Sequence, residues 1–565
     1  MLVLGVHDGH DSGATLIKDG KILAAINEER LNRKKLYFGL PNLAIKKVFE
    51  VANVQPSEVD HVAVSGTLGM MATLGWDKDI SLKKKFYQFL GNKTSLPGSP
   101  RFANLQRALF KPMRTKRVER YIKEFGIDSD FTYFDHHKSH AATAYWASGK
   151  DNCLVITADG SGDGLSASVY LGKDNQLKLI REIPTFHSLG YFYAYVTLLN
   201  GFKMFKHEGK ITGLAAFGDP NKCYPLFEKY FSHNKGNLVN NLGLIGHGAL
   251  DRLKKDLEQY KKEDWAAAVQ KRLEDVMCQH VSYWLKELNV SDVVTAGGIF
   301  ANVKLNQRIA ELPGVTSFFV YPNMGDGGLA TGAALNFTSE HMLNKGSGLK
   351  PFVLNDVYFG PGFSNEDIEK AIEEMNMKGG FVQDIEKYTA ELVAEKNIVG
   401  HFNGRMEYGP RALGNRSVLV DPTDRTINDW LNKRLSRTEF MPFAPSCLDT
   451  GAPVLFKDYK KDDYPSKFMT ITFDCLKPCH KAEAVVHVDN TARPQVVTKA
   501  QNLRYYNILK NYEKITGLPL FVNTSFNIHE EPIVCTPQDA IKSLQKGCVD
   551  YLVMGNWVVK NDKKN

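Results

Sequence analysis

Three apolar runs broken by tight polar turns open this chain, and the same arrangement begins again at Cys153. Leu2-Val-Leu-Gly-Val-His reads as a buried strand and Ser12-Gly-Ala-Thr-Leu-Ile-Lys as its hairpin partner. Past Asp19-Gly20, Lys21-Ile-Leu-Ala-Ala-Ile-Asn reads as a third strand. A helix over 42–52 and a strand at His61-Val-Ala-Val-Ser65 follow. The second copy runs through 153–157, 165–171 and 177–183, then a helix near 191–199, an amphipathic helix over 265–288 and a buried strand at Asp292-Val-Val-Thr-Ala296. Repetition on this scale predicts a duplicated α/β fold, because each copy supplies the strands of one sheet and the helices that cover it.

The polar residues concentrate in the turns of this pattern. His136 and His140, in Asp135-His-His-Lys-Ser-His140, stand four apart, so on a helix both imidazoles point at one small volume, a site suited to a metal ion. Asp159, where the run 153–158 ends, adds an anionic oxygen and completes a two-His, one-carboxylate set of the kind that holds a first-row divalent metal. Gly160, Ser161 and Gly162 follow it in a turn short of side chains, whose backbone N–H groups can approach phosphate. Asn323-Met-Gly-Asp326-Gly-Gly and the first turn, His7-Asp8-Gly-His10-Asp11-Ser-Gly, are similar in kind. Gly297-Gly298-Ile-Phe-Ala-Asn302, a glycine turn opening a helix, has the shape of a nucleotide cradle. Beyond residue 400 the polar set changes character. Arg411, Arg416, Lys433, Arg437 and Arg493 lie among Gly and Ser, and guanidinium forks in such company read as an oxyanion pocket.

A chain of 565 residues exceeds the ~250–300 residues at which single cores stop growing, so two domains are expected. The Gly346-Ser-Gly-Leu-Lys-Pro stretch is the expected linker, placing domains at 1–345 and 355–565. No apolar run approaches the ~18 residues of a membrane span, and the N-terminus has no signal-peptide pattern, so a cytoplasmic protein is expected. The eight cysteines form no paired framework. Cys475, Cys479 and His480 cluster without the spacing of a zinc site, and the thiols are expected to be reduced. Net charge is +8, much of it in local Lys/Arg runs that read as solvated faces. Residues 66–130 are poorly patterned and look like an insertion. Their basic, aromatic stretch from Arg101 to Lys123 could touch nucleic acid, but no recognised nucleic-acid module surrounds it.

Six motifs in order resemble one family. They are His7-Asp-Gly-His-Asp-Ser-Gly-Ala, Asp135-His-His-Lys-Ser-His-Ala, Asp159-Gly-Ser-Gly-Asp-Gly, Gly297-Gly-Ile-Phe-Ala-Asn, Tyr408-Gly-Pro-Arg-Ala-Leu-Gly-Asn-Arg-Ser417 and Val522-Asn-Thr-Ser-Phe-Asn527. Together they are similar to the O-carbamoyltransferases of the nodulation, cephamycin and tobramycin type. The resemblance implies a TsaD-like, actin/hexokinase-like duplicated domain followed by an α+β YrdC-like domain. It also implies a two-step reaction. Carbamoyl phosphate and ATP give carbamoyl-adenylate and pyrophosphate in the second domain, and the carbamoyl group then passes to a hydroxyl of a small-molecule acceptor in the first, releasing AMP. The family metal, Fe(II), would be held by His136, His140, Asp159 and Asp326, with Mg(II) accompanying ATP.

In that scheme His10 is the expected general base, with His7 and Asp11 as rivals, and Asp8 faces phosphate or metal-bound water. His137 is a bystander. Gly160, Ser161, Gly162, Lys210, Gly297, Gly298 and Asn302 join Asp8 in the nucleotide set. Arg411, Arg416, Lys433, Arg437 and Arg493 clamp carbamoyl phosphate and ATP, with Asn523, Ser525 and Asn527 as uncharged contacts. Ser525 as an acyl nucleophile, with His529 as base, is the competing reading of that loop. Two departures from the family pattern stand out. Thr212 and Phe217 replace the expected residues in Gly209-Lys-Ile-Thr-Gly213-Leu-Ala-Ala-Phe-Gly218, and Asn490 replaces a glycine before Thr491-Ala-Arg493. The aromatic stretch 184–207 and the insertion 66–130 are expected to wall the acceptor site. A homodimer is left open, and no membrane or nucleic-acid partner is expected. A threonylcarbamoyl-type transferase acting on tRNA uses the same two folds, and the Arg-Ala-Leu-Gly-Asn-Arg-Ser motif argues against it.

Overall fold

The computed structural model describes residues 1–68, 100–435, 440–461 and 463–561, with backbone alone for 100–110. Arg437 and the stretch 69–99 of the insertion fall outside the described residues. The chain divides into two compact units, one of residues 1–28 with 36–354, the other of 29–35 with 355–565.

In the first unit two five-stranded sheets share one strand order. The first runs Lys21–Asn27, Gly13–Lys18, Leu2–His7, His61–Ser65, Asp130–Phe134. Its first three strands are antiparallel hairpins and its last two lie parallel to Leu2–His7. The second runs Gln176–Pro184, Leu165–Lys173, Cys153–Gly162, Asp292–Ala296, Ser317–Val320, with the same antiparallel and parallel pairings. The central strands are buried on both faces, which is why their sequences are continuous apolar runs and not alternating ones. Helix Leu329–Asn344 packs on the first sheet and on helix His136–Trp146. Helix Lys262–Leu288 lies in a second core with Phe227, Phe300 and Leu305.

Two expectations about local structure change here. The glycine-rich segment after Asp159 is not a turn. The strand continues to Gly162 through an irregular register, and the turn proper is Asp163-Gly164, both at positive φ. The insertion, read as unpatterned, contributes the 24-residue helix Pro100–Lys123, with Pro112 inside it. Its buried face carries Arg114 together with Val118 and Ile122, so a charged residue interrupts the apolar stripe.

The second unit is built on an eight-stranded mixed sheet ordered Gly379–Phe381, Trp557–Lys560, Tyr551–Met554, Val399–Phe402, Arg416–Val420, Leu520–Ser525, Ala444–Leu448, Gln495–Val497. Helices Ile385–Ala394 and Leu503–Thr516 pack on each other over a core containing Val399, Leu419, Tyr505, Tyr512 and Phe521. Among the described residues no helix is long and apolar enough to cross a membrane.

Candidate active site

Helix His136–Trp146 starts directly after the edge strand of the first sheet, and Asp135 caps it by accepting from the N–H groups of His137 and Lys138. It carries His136 and, one turn on, His140, with ring centroids 4.8 Å apart. The Asp159 carboxylate arrives from the central strand of the second sheet, and Asp326 from the loop after Ser317–Val320. His140 Nε2 lies 3.1 Å from Asp159 Oδ2 and 3.6 Å from Asp326 Oδ1, and His136 Nε2 lies 3.7 and 3.5 Å from the same two atoms. One ligand atom from each of the four residues falls within 4.8 Å of all the others. A first-row ion bonded at about 2.0–2.2 Å sets neighbouring ligand atoms roughly 3.0–3.6 Å apart, so the four side chains fit such an ion. His136 Nε2 is buried with no hydrogen-bond partner, an orphan that a metal bond would satisfy. Burial works against charge on His136, yet Asp326 and Asp159 outweigh it and carry its pKa up to about 9, so the centre draws positive charge.

The surroundings hold these ligands by close approach. A methyl group at Gly162 would lie 2.1 Å from the His136 ring, and one at Gly298 would lie 2.9 Å from Asp159 Oδ1. Asp163, which the sequence reading passed over, accepts from the N–H groups of His136, Thr67 and Leu68, tying the start of the ligand helix to the chain entering the insertion. His137 points away, as a bystander should. It is fully buried, bonded to Thr157 Oγ1, and burial lowers its pKa to about 3.

His10 stands beside the centre, its Nδ1 3.8 Å from Asp326 Oδ2, with a side chain 38% exposed. Its rival His7 is committed elsewhere. His7 Nε2 donates to the His10 carbonyl at 3.1 Å, so Nδ1 accepts from the Ser65 hydroxyl at 2.7 Å. Burial lowers its pKa to about 4, keeping it neutral. His7 therefore positions the turn, and His10 is the imidazole left with access to a ligand.

Several residues of the expected nucleotide set have internal partners. Asp8 is completely buried, and its Oδ1 accepts from Arg114 Nη2 at 2.5 Å. Arg114, from the insertion helix, also donates to the Ser65 and Gly66 carbonyls. The other Asp8 oxygen, Oδ2, is buried without a hydrogen-bond partner among the described residues. The Gly160 N–H goes to Asp159 Oδ1, the Gly297 N–H to the Met324 carbonyl, and the Ser161 hydroxyl to Thr185. Asn302 caps helix Val303–Ala310 through Leu305 N and bonds Gln270 and Thr212, so the departure at Thr212 supplies a hydroxyl to an internal network with Tyr193. Lys210 is buried, 5.6 Å from the Phe202 ring centroid.

In the second unit the expected clamp is dispersed in role. Arg416 is buried against the Phe402 ring, 3.7 Å from its centroid, and donates to the carbonyls of Pro361, Asn403, Gly404 and Asn415. Its two terminal nitrogens are thus bonded to backbone oxygens of the loop, while Nε is buried without a hydrogen-bond partner among the described residues. Glu407, also missed, takes the N–H groups of Leu413, Asn415 and Arg416 on one oxygen. Asn523 bridges the Ala412 carbonyl, Ser446 and Gln495, and Asn527 clasps the Ile528 and Glu531 carbonyls. Arg411 and Arg493 are half-buried, Ser525 is partly exposed and Lys433 is exposed. Asn490, standing where a glycine was expected, adopts φ +62°, the left-handed region that Asn tolerates better than other side chains.

Two buried histidines and two part-buried carboxylates converge on a set of ligand atoms able to hold a metal ion, with a partly exposed imidazole beside it. Residues 2–335 match the carbamoyltransferase N-terminus and residues 390–561 the carbamoyltransferase C-terminus, and the chain belongs to the carbamoyltransferase family. It is 34% identical to an uncharacterised protein of Methanocaldococcus jannaschii over 100% of both chains. It is 31% identical to nodulation protein NolNO of Sinorhizobium fredii, over 98% of this chain and 79% of that one. Nodulation protein U of Rhizobium tropici is 26% identical over 98% of this chain and 95% of that one. Among solved structures, component A of the (R)-2-hydroxyglutaryl-CoA dehydratase of Acidaminococcus fermentans covers 60% of this chain and 97% of its own at 14% identity, with a TM-score of 0.33, a likeness too slight to bear on function.

Proposed function

We propose that this carbamoyltransferase works in two steps, with the first unit as an actin/hexokinase-like, TsaD-like transfer domain and the second as a YrdC-like adenylating domain. In the second unit water cleaves carbamoyl phosphate to carbamate and phosphate, and a carbamate oxygen then attacks the α-phosphorus of ATP, breaking its bond to the bridging oxygen of the β-phosphate and releasing pyrophosphate. In the first unit the acceptor hydroxyl attacks the carbamoyl carbon of the adenylate, the bond from that carbon to the phosphate oxygen breaks, and AMP leaves. His10 takes the hydroxyl proton. His7 holds the His10 carbonyl, so the turn stays in place while the imidazole changes charge. The observation that carries this reading is the four-residue centre with His10 3.8 Å from Asp326. His136, His140, Asp159 and Asp326 would hold the divalent cation, Fe(II) by family resemblance, which supplies fixed positive charge to the carbamoyl or phosphoryl oxygens. Arg411 and Arg493 remain as anion contacts of the first step, with Lys433 and Ser525, while Arg416 supports the loop that carries Arg411.

The tRNA alternative leaned on the basic insertion. Arg114 of that segment is buried against Asp8, so part of its positive charge is spent inside the fold. The test is ATP–pyrophosphate exchange. Exchange dependent on carbamoyl phosphate, retained in His136→Ala while transfer to hydroxylated acceptors is lost, supports the scheme. Equal loss of both would sink the division of labour.

A further inference from the structure

Helix Pro100–Lys123 carries two guanidiniums three residues apart, Arg114 and Arg117, and both are turned to Asp8. They are used unequally. Arg114 is 1% exposed and bonds Asp8 Oδ1 and the carbonyls of Ser65 and Gly66. Arg117 has no such anchorage. Its Nε and Nη2, the two nitrogens of the side-on guanidinium fork, are buried without a hydrogen-bond partner among the described residues, and Nη2 stops 3.8 Å from Asp8 Oδ2. The Arg117 side chain as a whole is 38% exposed, so it can be approached from solvent. Tyr121, one turn further along the same face, adds a hydroxyl that is buried and likewise unbonded. Burial raises its pKa, so it stays a neutral donor.

Buried donors are normally satisfied, and this face holds three that are not. Two guanidiniums against the one carboxylate of Asp8 also leave a single positive charge among the three groups. Donors and charge together match an oxyanion, for which the rigid fork of Arg is the fitting partner. A carboxylate would spend both its oxygens on the fork, whereas the phosphate of AMP has a third for the Tyr121 hydroxyl. The placement suits the chemistry, because Asp8 stands in the turn that carries His10, and His10 Nδ1 is 3.8 Å from Asp326 Oδ2.

We infer that Arg117 and Tyr121 form a phosphoryl subsite, filled during transfer by the phosphate of carbamoyl-adenylate and then of AMP; this rests on the transfer reading above. In that step the acceptor oxygen bonds to the carbamoyl carbon and the bond from that carbon to the phosphoryl oxygen breaks. Its electron pair stays on that oxygen, and the acceptor proton goes to His10. The phosphoryl group passes from one negative charge to two, and a guanidinium already in place meets the charge as it develops.

The test is modification of the full-length wild-type protein by phenylglyoxal, which adds to guanidinium groups, mapped by mass spectrometry with AMP, inorganic phosphate and adenosine as protecting probes. Arg117 should be modified in the free protein, protected by AMP and by phosphate, and unprotected by adenosine. Arg120, exposed on the same helix, should react equally throughout. Tyr121→Phe keeps Arg117 as the reporter and should raise the AMP concentration needed for half-protection by roughly 10-fold, the loss of one hydrogen bond to a charged group. An Arg117 that neither AMP nor phosphate protects, or that adenosine protects as well as AMP does, would overturn the subsite. Protection by phosphate alone would overturn its assignment to the nucleotide, and an unchanged half-protection point in Tyr121→Phe would remove Tyr121. Carbamoyl phosphate-dependent exchange by the wild-type protein, measured alongside, reports separately on the two-step reading: exchange without protection sinks the subsite alone, and protection by phosphate without exchange sinks the two-step scheme alone.

Discussion

Replacing Arg114 with Met removes the only guanidinium bonded to Asp8 among the described residues and leaves a carboxylate with no exposed surface at the end of the first strand. Three bonds go at once, to Asp8 Oδ1, Gly66 O and Ser65 O. Arg117 cannot take over without moving, since its Nη2 is 3.8 Å from Asp8 Oδ2 and makes no hydrogen bond. Breaking a buried pair from one side costs about 3–5 kcal/mol, because the remaining charge is uncompensated. At about 1.4 kcal/mol per decade that is roughly 10² to 4 × 10³-fold in the local opening equilibrium. Hydrogen exchange read by mass spectrometry on peptides covering 2–18 and 61–68 should show this loss of protection, with peptides of the second unit unchanged. Adding Asp8→Asn to Arg114→Met should recover most of it, since an amide needs no counter-charge. If Arg114→Met leaves protection within a few-fold of wild type, or the double variant is worse than the single, the buried pair is not what anchors the insertion helix.

His10→Asn should lower the transfer step by ~10²–10⁴-fold with metal content unchanged, as loss of a positioned base does, and a near wild-type rate would remove His10 from that role. Gly162→Ala drives a methyl into the His136 ring, so metal measured after anaerobic purification should fall below that of Gly380→Ala, where a methyl meets open space. His280 is fully buried with neither ring nitrogen bonded, and burial lowers its pKa to about 3. It is neutral in the fold and gains a proton on unfolding once pH drops below about 6.5, so its stabilising contribution is complete above that value and declines by about 1.4 kcal/mol per pH unit down to about 3. His280→Leu should therefore gain roughly 2 kcal/mol over wild type at pH 5 relative to pH 7.5 in urea melts, and parallel pH profiles would refute it.

What the amino-acid sequence determined is what is local and periodic. The two sets of hairpins, the helix bearing His136 and His140, and the strand leading to Asp159 could be read directly, because turn chemistry and side-chain period act over a few residues. The order of the second unit's eight strands could not, since a three-residue strand such as Gln495–Val497 has no period and owes its place to its partner Ala444–Leu448. Partners of buried polar groups were equally out of reach. A motif names a donor or acceptor, as Asp8 and Arg416 were named, without saying which internal groups will also satisfy it. Arg114 comes to Asp8 from 106 residues away, and four carbonyls surround Arg416. Desolvation forces every buried charge to find compensation, and only the tertiary structure decides whether a ligand or the protein itself provides it.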